Sequence, residues 1–247
     1  MIKEGTRIED VDPSLIQAAR KEDMDYMNQI QMFEYVSQEE CDRQAQRRPT
    51  STRWVDVVKR DDAGKLVVRS RLVGRDFKVK GERDREDLFA AMPPLEAKKL
   101  LFRMAASMNK SRAGRGLPEL KLMFIDVRKA RLNSVCDEVE FVFLPSEFEE
   151  FGVVAKLRRW LYGMRPAGKA WEEHYAQRLR EAGFTRGVAA PTLFHCQGSG
   201  VRVVVHGDDF TFLGSQAELI KIKEAMSSWY DIKSVELWEA MLRTSRR

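Results

Sequence analysis

The sequence predicts an α+β fold with antiparallel strands. Two stretches have the pattern of β-hairpins: residues 54–73, where apolar runs flank a turn at 61–64, and residues 201–213, where a β-branched run meets a glycine and two aspartates. Stretches with helical apolar periodicity lie between and after these hairpins. Because strands and helices do not alternate regularly, the pattern favours α+β over a parallel βαβ sheet.

The N-terminal part is predicted to be helical. Asp12 followed by Pro13 is typical of a helix start, and acidic, helix-favouring sequence continues to about Val36. Residues 37–52 are polar and charged, which indicates a linker.

The first hairpin is predicted to have strands at 54–58 and 65–73. Arg69 and Arg71 are two positions apart in the second strand, so their side chains share one face. That face could be a solvated edge protected by charge, or it could present guanidinium groups to phosphates. The strand pattern alone leaves both interpretations open.

The later elements are apolar strands and amphipathic helices. Helices are predicted at 95–108, after Gly168 as far as a Gly183 cap, and after Gly214. Strands are predicted at 122–127, 139–145, 153–157 and 191–196, before the second hairpin. In the second of these helices Trp171, Tyr175 and Leu179 mark the buried face.

Composition limits the class of protein. The 247 residues can bury a substantial core, and 43 Lys and Arg against 38 Asp and Glu give a net charge of +5. The basic residues concentrate at 43–85 and 156–169, which permits a nucleic-acid partner without showing one. No apolar run is long enough to span a membrane, and three scattered cysteines indicate neither a disulfide framework nor a zinc site. We expect a soluble intracellular protein with no membrane partner, and the sequence does not distinguish cytoplasm from nucleus.

Three aspartates are the candidate catalytic residues. Asp208 and Asp209 lie in the turn of the second hairpin, and Asp126 lies near the end of an apolar strand. Two adjacent aspartates can be simple turn residues, because Asp suits turns. If the two strands are neighbours, however, three carboxylates converge, and carboxylates are the ligands with which proteins hold Mg²⁺. Two such ions can support phosphoryl transfer.

Several blocks of sequence, all in one order, resemble one family. The blocks are Arg69-Ser70-Arg71-Leu72-Val73-Gly74-Arg75-Asp76-Phe77, Leu88-Phe89-Ala90-Ala91-Met92-Pro93-Pro94-Leu95, Phe124-Ile125-Asp126-Val127-Arg128-Lys129-Ala130-Arg131-Leu132-Asn133, Phe141-Val142-Phe143-Leu144-Pro145, Lys156-Leu157-Arg158-Arg159-Trp160-Leu161-Tyr162-Gly163-Met164 with Ala170-Trp171, and His206-Gly207-Asp208-Asp209. Over about residues 51–233 they resemble the reverse transcriptase of copia-type LTR retrotransposons, a segment of a Pol polyprotein. In that family, the blocks that match the third and the last of these read Leu-Asp-Val-Lys-Asn-Ala-Phe-Leu-Asn and Tyr-Val-Asp-Asp.

The resemblance implies a right-hand polymerase with fingers and palm, the palm being an antiparallel sheet with packed helices. By matching position, Asp126, Asp208 and Asp209 would be the catalytic and metal-binding triad, holding two Mg²⁺ ions, with Mn²⁺ as an alternative. The nucleotide-binding residues would be Arg69, Arg71 and Arg131. The implied partners are an RNA or DNA template–primer and dNTPs, and the implied reaction is RNA-directed DNA synthesis.

The resemblance also implies domain limits. Residues 1–50 are expected to be a helical segment and linker, residues 51–233 the fingers–palm domain, and residues 234–247 a divergent tail. The thumb is expected to be absent, so other Pol segments would supply the thumb and the ribonuclease H.

Departures from the family pattern keep alternatives open. Arg131 stands where the family has an aromatic residue, Pro166 replaces a Gln and Gly168 a Pro, and His206-Gly207 replaces Tyr-Val. One alternative is a decayed, truncated element copy that binds nucleic acid without polymerising. Another is a metal-free α+β protein whose aspartates are only turn and edge residues.

Overall fold

The computed structural model describes residues 5–61, 63–78 and 88–236. The helices are α1 (Pro13–Gln29), α2 (Gln38–Gln44), α3 (Leu95–Ala113), α4 (Ala167–Glu181) and α5 (Gln216–Trp229). The strands are β1 (Phe33–Ser37), β2 (Thr52–Arg60), β3 (Leu66–Gly74), β4 (Leu120–Val127), β5 (Phe141–Val142), β6 (Val153–Leu157), β7 (Thr185–Arg186), β8 (Leu193–His195), β9 (Arg202–His206), β10 (Asp209–Ser215) and β11 (Ile232–Glu236). The predicted mixture of helices and antiparallel strands is confirmed.

Contacts divide the chain into two compact units. The first unit comprises Met1–Arg85 and Ser134–Ala170, and the second comprises Glu86–Asn133 and Trp171–Arg247. The predicted limits at 50/51 and 233/234 stay predictions. The structure adds that β1 and α2, before residue 51, belong to the first unit, and that β11 runs to Glu236. The rest of the predicted tail, 237–247, lies outside the described residues.

The first unit contains a three-stranded sheet, in the order β1-β6-β5, and the β2–β3 hairpin. Helix α1 begins as predicted, with the Asp12 side chain accepting a hydrogen bond from the Ser14 amide at 2.9 Å. It ends at Gln29, and residues 33–44, predicted as the end of that helix and part of a linker, instead form β1 and α2. The strand forms because the buried Phe33 pairs with Leu157 of β6, and the sequence near residue 33 gives no sign of that distant partner.

Helix α1 covers one face of the β2–β3 hairpin. The Leu72 amide donates to the buried Asp23 carboxylate at 3.1 Å. Asp56 accepts from Arg20 at 2.7 Å and from the Ser70 hydroxyl at 2.6 Å. Because side chains alternate along a strand, this leaves Arg69 and Arg71 together on the other face, as predicted.

The end of β3 packs against the turn at 161–164 through two glycines. The Gly74 amide donates to the Tyr162 carbonyl at 2.7 Å. Gly163 has φ +81°, and a Cβ placed there would lie 2.3 Å from the Gly74 carbonyl oxygen. Neither the dihedral angle nor the space admits a side chain at position 163.

A buried carboxylate connects the segment after β3 with the start of α4. Asp76 is 8% exposed and accepts hydrogen bonds from the Arg165 amide and from Arg47, both at 3.0 Å. Arg47 also binds Glu140. Burial alone would raise the pKa of Asp76, but the Arg165 amide and the Arg47 guanidinium outweigh it and hold that pKa below its usual value.

The second unit is built on a six-stranded antiparallel sheet in the order β11-β4-β10-β9-β8-β7. One face is covered by α4 and α5, and this core includes Ile125, Phe210, Phe212, Trp171 and Leu219. Trp171, Tyr175 and Leu179 are all buried, which confirms the predicted core stripe of this helix.

Helix α3 packs on the opposite face of this sheet. Ala97 and Leu101 contact Leu122 of β4 and Leu213 of β10. Along this face of β4 the exposure of the side chains increases, from buried Leu122 through partly buried Phe124 to exposed Asp126. The end of the face that carries Asp126 is therefore open to solvent.

No helix among the described residues is both long enough and apolar enough to cross a membrane.

We predict that Gly163→Ala lowers the free energy of unfolding by about 3 kcal/mol or more, because it combines left-handed strain with a backbone clash. Gly64→Ala is the matched control, since Gly64 has φ +78° with no atom within 4 Å of a built Cβ. Gly64→Ala should lower the free energy of unfolding only through backbone strain, by about 1–2 kcal/mol. Urea denaturation measures both values, and equal losses would contradict the proposed close packing at Gly163.

Candidate functional site

The sheet of the second unit places Asp126 directly opposite Asp209. The two residues are antiparallel partners of β4 and β10. The Val127 amide donates to the Asp208 carbonyl at 3.0 Å, which is the bonding pattern around a non-hydrogen-bonded pair. In such a pair the Cα atoms are about 4.5 Å apart and the side chains are on one face. Strands β4 and β10 are therefore neighbours, which is the condition under which the three aspartates were expected to come together.

The turn itself differs from the prediction in one detail. Strands β9 and β10 are joined by a two-residue turn, Gly207–Asp208, and Asp209 is already the first residue of β10. Gly207 has φ +66°, which fits a type II′ turn with glycine at its first central position. The glycine is thus required by the turn, and all three aspartates are exposed.

A row of ionisable residues crosses four strands at this end of the sheet. Lys233 of β11 is opposite Asp126, and His206 of β9 is opposite Asp209. Two neighbouring carboxylates repel each other, and a cation on the adjacent strand offsets part of that repulsion. Lys233 was not among the predicted site residues, because the sequence from residue 234 onward lacked a recognisable strand pattern.

The arrangement provides hard oxygen ligands on an open surface, which suits Mg²⁺ or Mn²⁺. Among residues 5–61, 63–78 and 88–236, no three His, Cys, Asp or Glu side chains gather closely enough to hold a metal ion. The structure therefore brings the backbone positions of Asp126, Asp208 and Asp209 together, without converging their side chains on one point. The two-ion site stays a prediction.

The predicted nucleotide-binding arginines lie in different units. Arg131 is exposed in the short 3₁₀ helix Ala130–Asn133 that follows β4 in the second unit. Arg69 is exposed on β3 in the first unit, and Arg71 lies over the Tyr162 ring at 5.3 Å from its centroid. Their role in nucleotide binding stays a prediction.

The segment between Asp126 and Arg131 contains an uncommon backbone conformation. Lys129 has φ +49°, in the left-handed region that favours Gly, Asn and Asp over other residues. The family motif given above has Asn at this place. In this chain the left-handed position is filled by a residue that suits it less well than Asn would.

The Gly207–Asp208 turn accepts a hydrogen bond from the face of the sheet that α4 and α5 cover. Trp171 of α4 donates from its indole nitrogen to the Gly207 carbonyl oxygen at 2.8 Å. The helical pattern identified Trp171 only as a core residue. Its hydrogen bond could not be inferred from that pattern, because the acceptor lies 36 positions further along the chain.

Comparison with known proteins identifies the class. The family model for reverse transcriptase (RNA-dependent DNA polymerase) matches residues 36–243, a range that includes all three aspartates. The chain belongs to this reverse transcriptase family.

The chain is also similar to the retrovirus-related Pol polyprotein from transposon TNT 1-94 of Nicotiana tabacum. The two are 24% identical over 216 residues, which is 81% of this chain and 16% of that polyprotein. The predicted resemblance to a copia-type retrotransposon reverse transcriptase, as a fragment of Pol, is confirmed. The chain spans only about a sixth of the length of this curated relative.

We predict that Asp209→Asn stabilises the protein by about 0.2–1 kcal/mol, because it removes a like charge directly opposite Asp126. The gain should be measured by urea denaturation at low ionic strength, and it should shrink in high salt because salt screens the repulsion. A loss of stability would contradict this account of repulsion between Asp126 and Asp209.

We also predict that Lys129→Asn raises the free energy of unfolding by about 0.5 kcal/mol, because Asn tolerates the left-handed conformation better. The control is Lys98→Asn in α3, which should lower stability by a few tenths of a kcal/mol through helix propensity. Thermal or urea unfolding of both variants gives the comparison. A loss of stability at both positions would contradict the claim that Asn suits the left-handed conformation at position 129 better than Lys.

Proposed function

We propose that this chain is the polymerase segment of a retrotransposon Pol polyprotein and catalyses RNA-directed DNA synthesis. The observation that carries the proposal is the pairing of Asp126 with Asp209, beside a turn that holds Asp208. In a chain of the reverse transcriptase family, three exposed carboxylates at one end of a sheet support a catalytic role over a turn role.

In this proposal the second unit's sheet is the palm, and the β2–β3 hairpin of the first unit belongs to the fingers. The substrates are a primer annealed to an RNA or DNA template and a dNTP. The primer 3′-hydroxyl loses its proton to solvent and its oxygen attacks the α-phosphate. A P–O bond forms to the primer, the bond between the α-phosphorus and the oxygen that bridges to the β-phosphate breaks, and pyrophosphate leaves. Arg69 and Arg71 would neutralise the triphosphate of the incoming nucleotide, and Arg131 would lie at its sugar.

The donor set fits divalent metal ions in chemical type, while the three side chains do not yet converge on one point. Carboxylate oxygens suit Mg²⁺ and Mn²⁺, the three residues are exposed, and Asp126 and Asp209 share one face at adjacent positions. When bound, two such ions would supply charge neutralisation and activation of the hydroxyl. Within the protein, Asp126, Asp208 and Asp209 would hold them, and the open end of the sheet face would admit the primer end.

Binding of template–primer would depend mainly on phosphate contacts. The net charge of +5 and the exposed arginines of the β2–β3 hairpin favour a polyanionic partner. Because the chain spans only about a sixth of the similar Pol polyprotein, other Pol segments, among them a thumb and a ribonuclease H, are further proposed partners.

A second candidate is a chain that binds template–primer without extending it. The observation that favours it is the set of residues that differ from the family pattern near the carboxylates. Arg131 replaces an aromatic residue, and Gly207 makes the Gly207–Asp208 turn more flexible than the family's Val would.

Primer extension separates the two candidates. With a primed RNA template, dNTPs and Mg²⁺ or Mn²⁺, the purified chain should extend the primer, and Asp208→Asn should reduce extension to background while template–primer binding persists. Asp137→Asn, an exposed aspartate of the first unit, is the matched control and should keep wild-type activity.

Failure of the wild-type chain to extend any primer, tested over RNA and DNA templates with either metal, would contradict the polymerase function. Salt-dependent binding of template–primer in that case would support the second candidate.

A further inference from the structure

The Gly207–Asp208 turn is held by a buried aromatic side chain of another element. Trp171 is 3% exposed, lies in α4, and donates its indole N–H to the Gly207 carbonyl at 2.8 Å. A buried indole N–H needs an acceptor, and here the acceptor belongs to the residue that directly precedes Asp208.

The bond acts on the peptide plane that leads into Asp208. The Gly207 carbonyl and the Asp208 amide belong to one peptide group, which is planar, so fixing the oxygen fixes that plane. On the other side of Asp208, its own carbonyl accepts from the Val127 amide of β4 at 3.0 Å. Both peptide planes that flank Asp208 are therefore held, one from the helical layer and one from the neighbouring strand.

Trp171 is itself immobilised by other rings. Its ring is in edge contact with Tyr230 at 5.2 Å, Tyr175 at 5.5 Å and Phe210 at 6.4 Å between centroids. Phe210 is the second residue of β10, so the same cluster packs beneath Asp209. Such a donor has little rotational freedom and gives a defined direction to the bond.

The need for this support comes from the turn sequence. Gly207, with φ +66°, gives the turn its shape but leaves its backbone freer than any other residue would. An exposed two-residue turn with glycine at its first position would let Asp208 sample several orientations. A hydrogen bond to the glycine carbonyl restricts that freedom at the peptide group that leads into Asp208, from whose Cα atom the carboxylate projects.

We propose that Trp171 is a positioning residue of the polymerase site, whose indole N–H orients Asp208 for metal binding by holding the Gly207–Asp208 peptide. The inference rests on the proposed function, because it assigns Asp208 to a metal site. Groups that orient metal ligands in this way commonly change metal affinity by 10- to 100-fold when they are lost.

The sharpest test removes the N–H and keeps the shape. Trp171→3-benzothienylalanine, introduced site-specifically in the full chain, replaces the indole nitrogen by sulfur. The dissociation constant for Mn²⁺, measured by electron paramagnetic resonance, should rise about 10-fold. In primer extension kcat should fall with little change in the KM for dNTP, and excess Mn²⁺ should restore part of the rate.

Two controls separate positioning from packing. Leu179→Ala removes buried volume from the same helix and core, so it should destabilise the protein and leave Mn²⁺ affinity within about twofold of wild type. Tyr230→Phe removes a buried hydroxyl but keeps the ring that contacts Trp171, so it should also leave Mn²⁺ affinity unchanged. An unchanged Mn²⁺ dissociation constant in the benzothienyl variant would overturn the proposal.

A metal-independent readout distinguishes this inference from the function on which it rests. In ¹⁵N relaxation measurements the Asp208 amide should be rigid in the wild type and mobile in the benzothienyl variant. If the mobility does not change, the positioning role is wrong even when wild type polymerises. If the mobility changes but wild type binds no Mn²⁺, the polymerase function is wrong, and the metal-positioning role with it.

Discussion

The pairing register of β4 and β10 is the constraint on which the candidate site depends. Side chains alternate along strands, so a slip of one residue would move Asp126 or Asp209 to the face that α4 and α5 cover. The register is determined by the apolar residues of the same strands, since Ile125 and Phe210 pair and are buried with α4 and α5 while Leu122 and Leu213 pair and are buried with α3. The hydrophobic core thereby holds two like charges side by side, an arrangement that is unfavourable without a cation.

The layers around this sheet explain why the carboxylate end is both open and well defined. Helix α3 covers the half of one face around Leu122, and the other half, around Asp126, is left to solvent. On the opposite face, the core with Trp171 continues to the very end of the strands and contacts the turn. Rigidity on one side and access on the other are what the proposed polymerase site requires.

Several parts of this fold follow from local sequence pattern, and others depend on distant partners. The hairpin at 201–213 and the stripe of Trp171, Tyr175 and Leu179 were predictable because period-2 and helical periodicities are visible within a few residues. Strand β1 was missed because its residues continue the acidic, helix-favouring sequence that precedes them, and its stability comes from β6, more than 100 residues away. The adjacency of Asp126 and Asp209 was only a hypothesis for the same reason, since periodicity does not tell which strands are neighbours. The position of Lys233 opposite Asp126 could not be predicted, because it depends on strand β11, whose sequence has no strong strand pattern.

The central claim is that Asp126, Asp208 and Asp209 form one divalent-cation site at this end of the sheet. Titration of ¹⁵N-labelled protein with substoichiometric Mn²⁺ tests it most directly, because a bound paramagnetic ion broadens only nearby amide resonances. The account predicts selective broadening of the amides of residues 126–127 and 208–209, lost in Asp126→Asn. Broadening centred elsewhere, or uniform weak broadening that Asp126→Asn leaves unchanged, would contradict it.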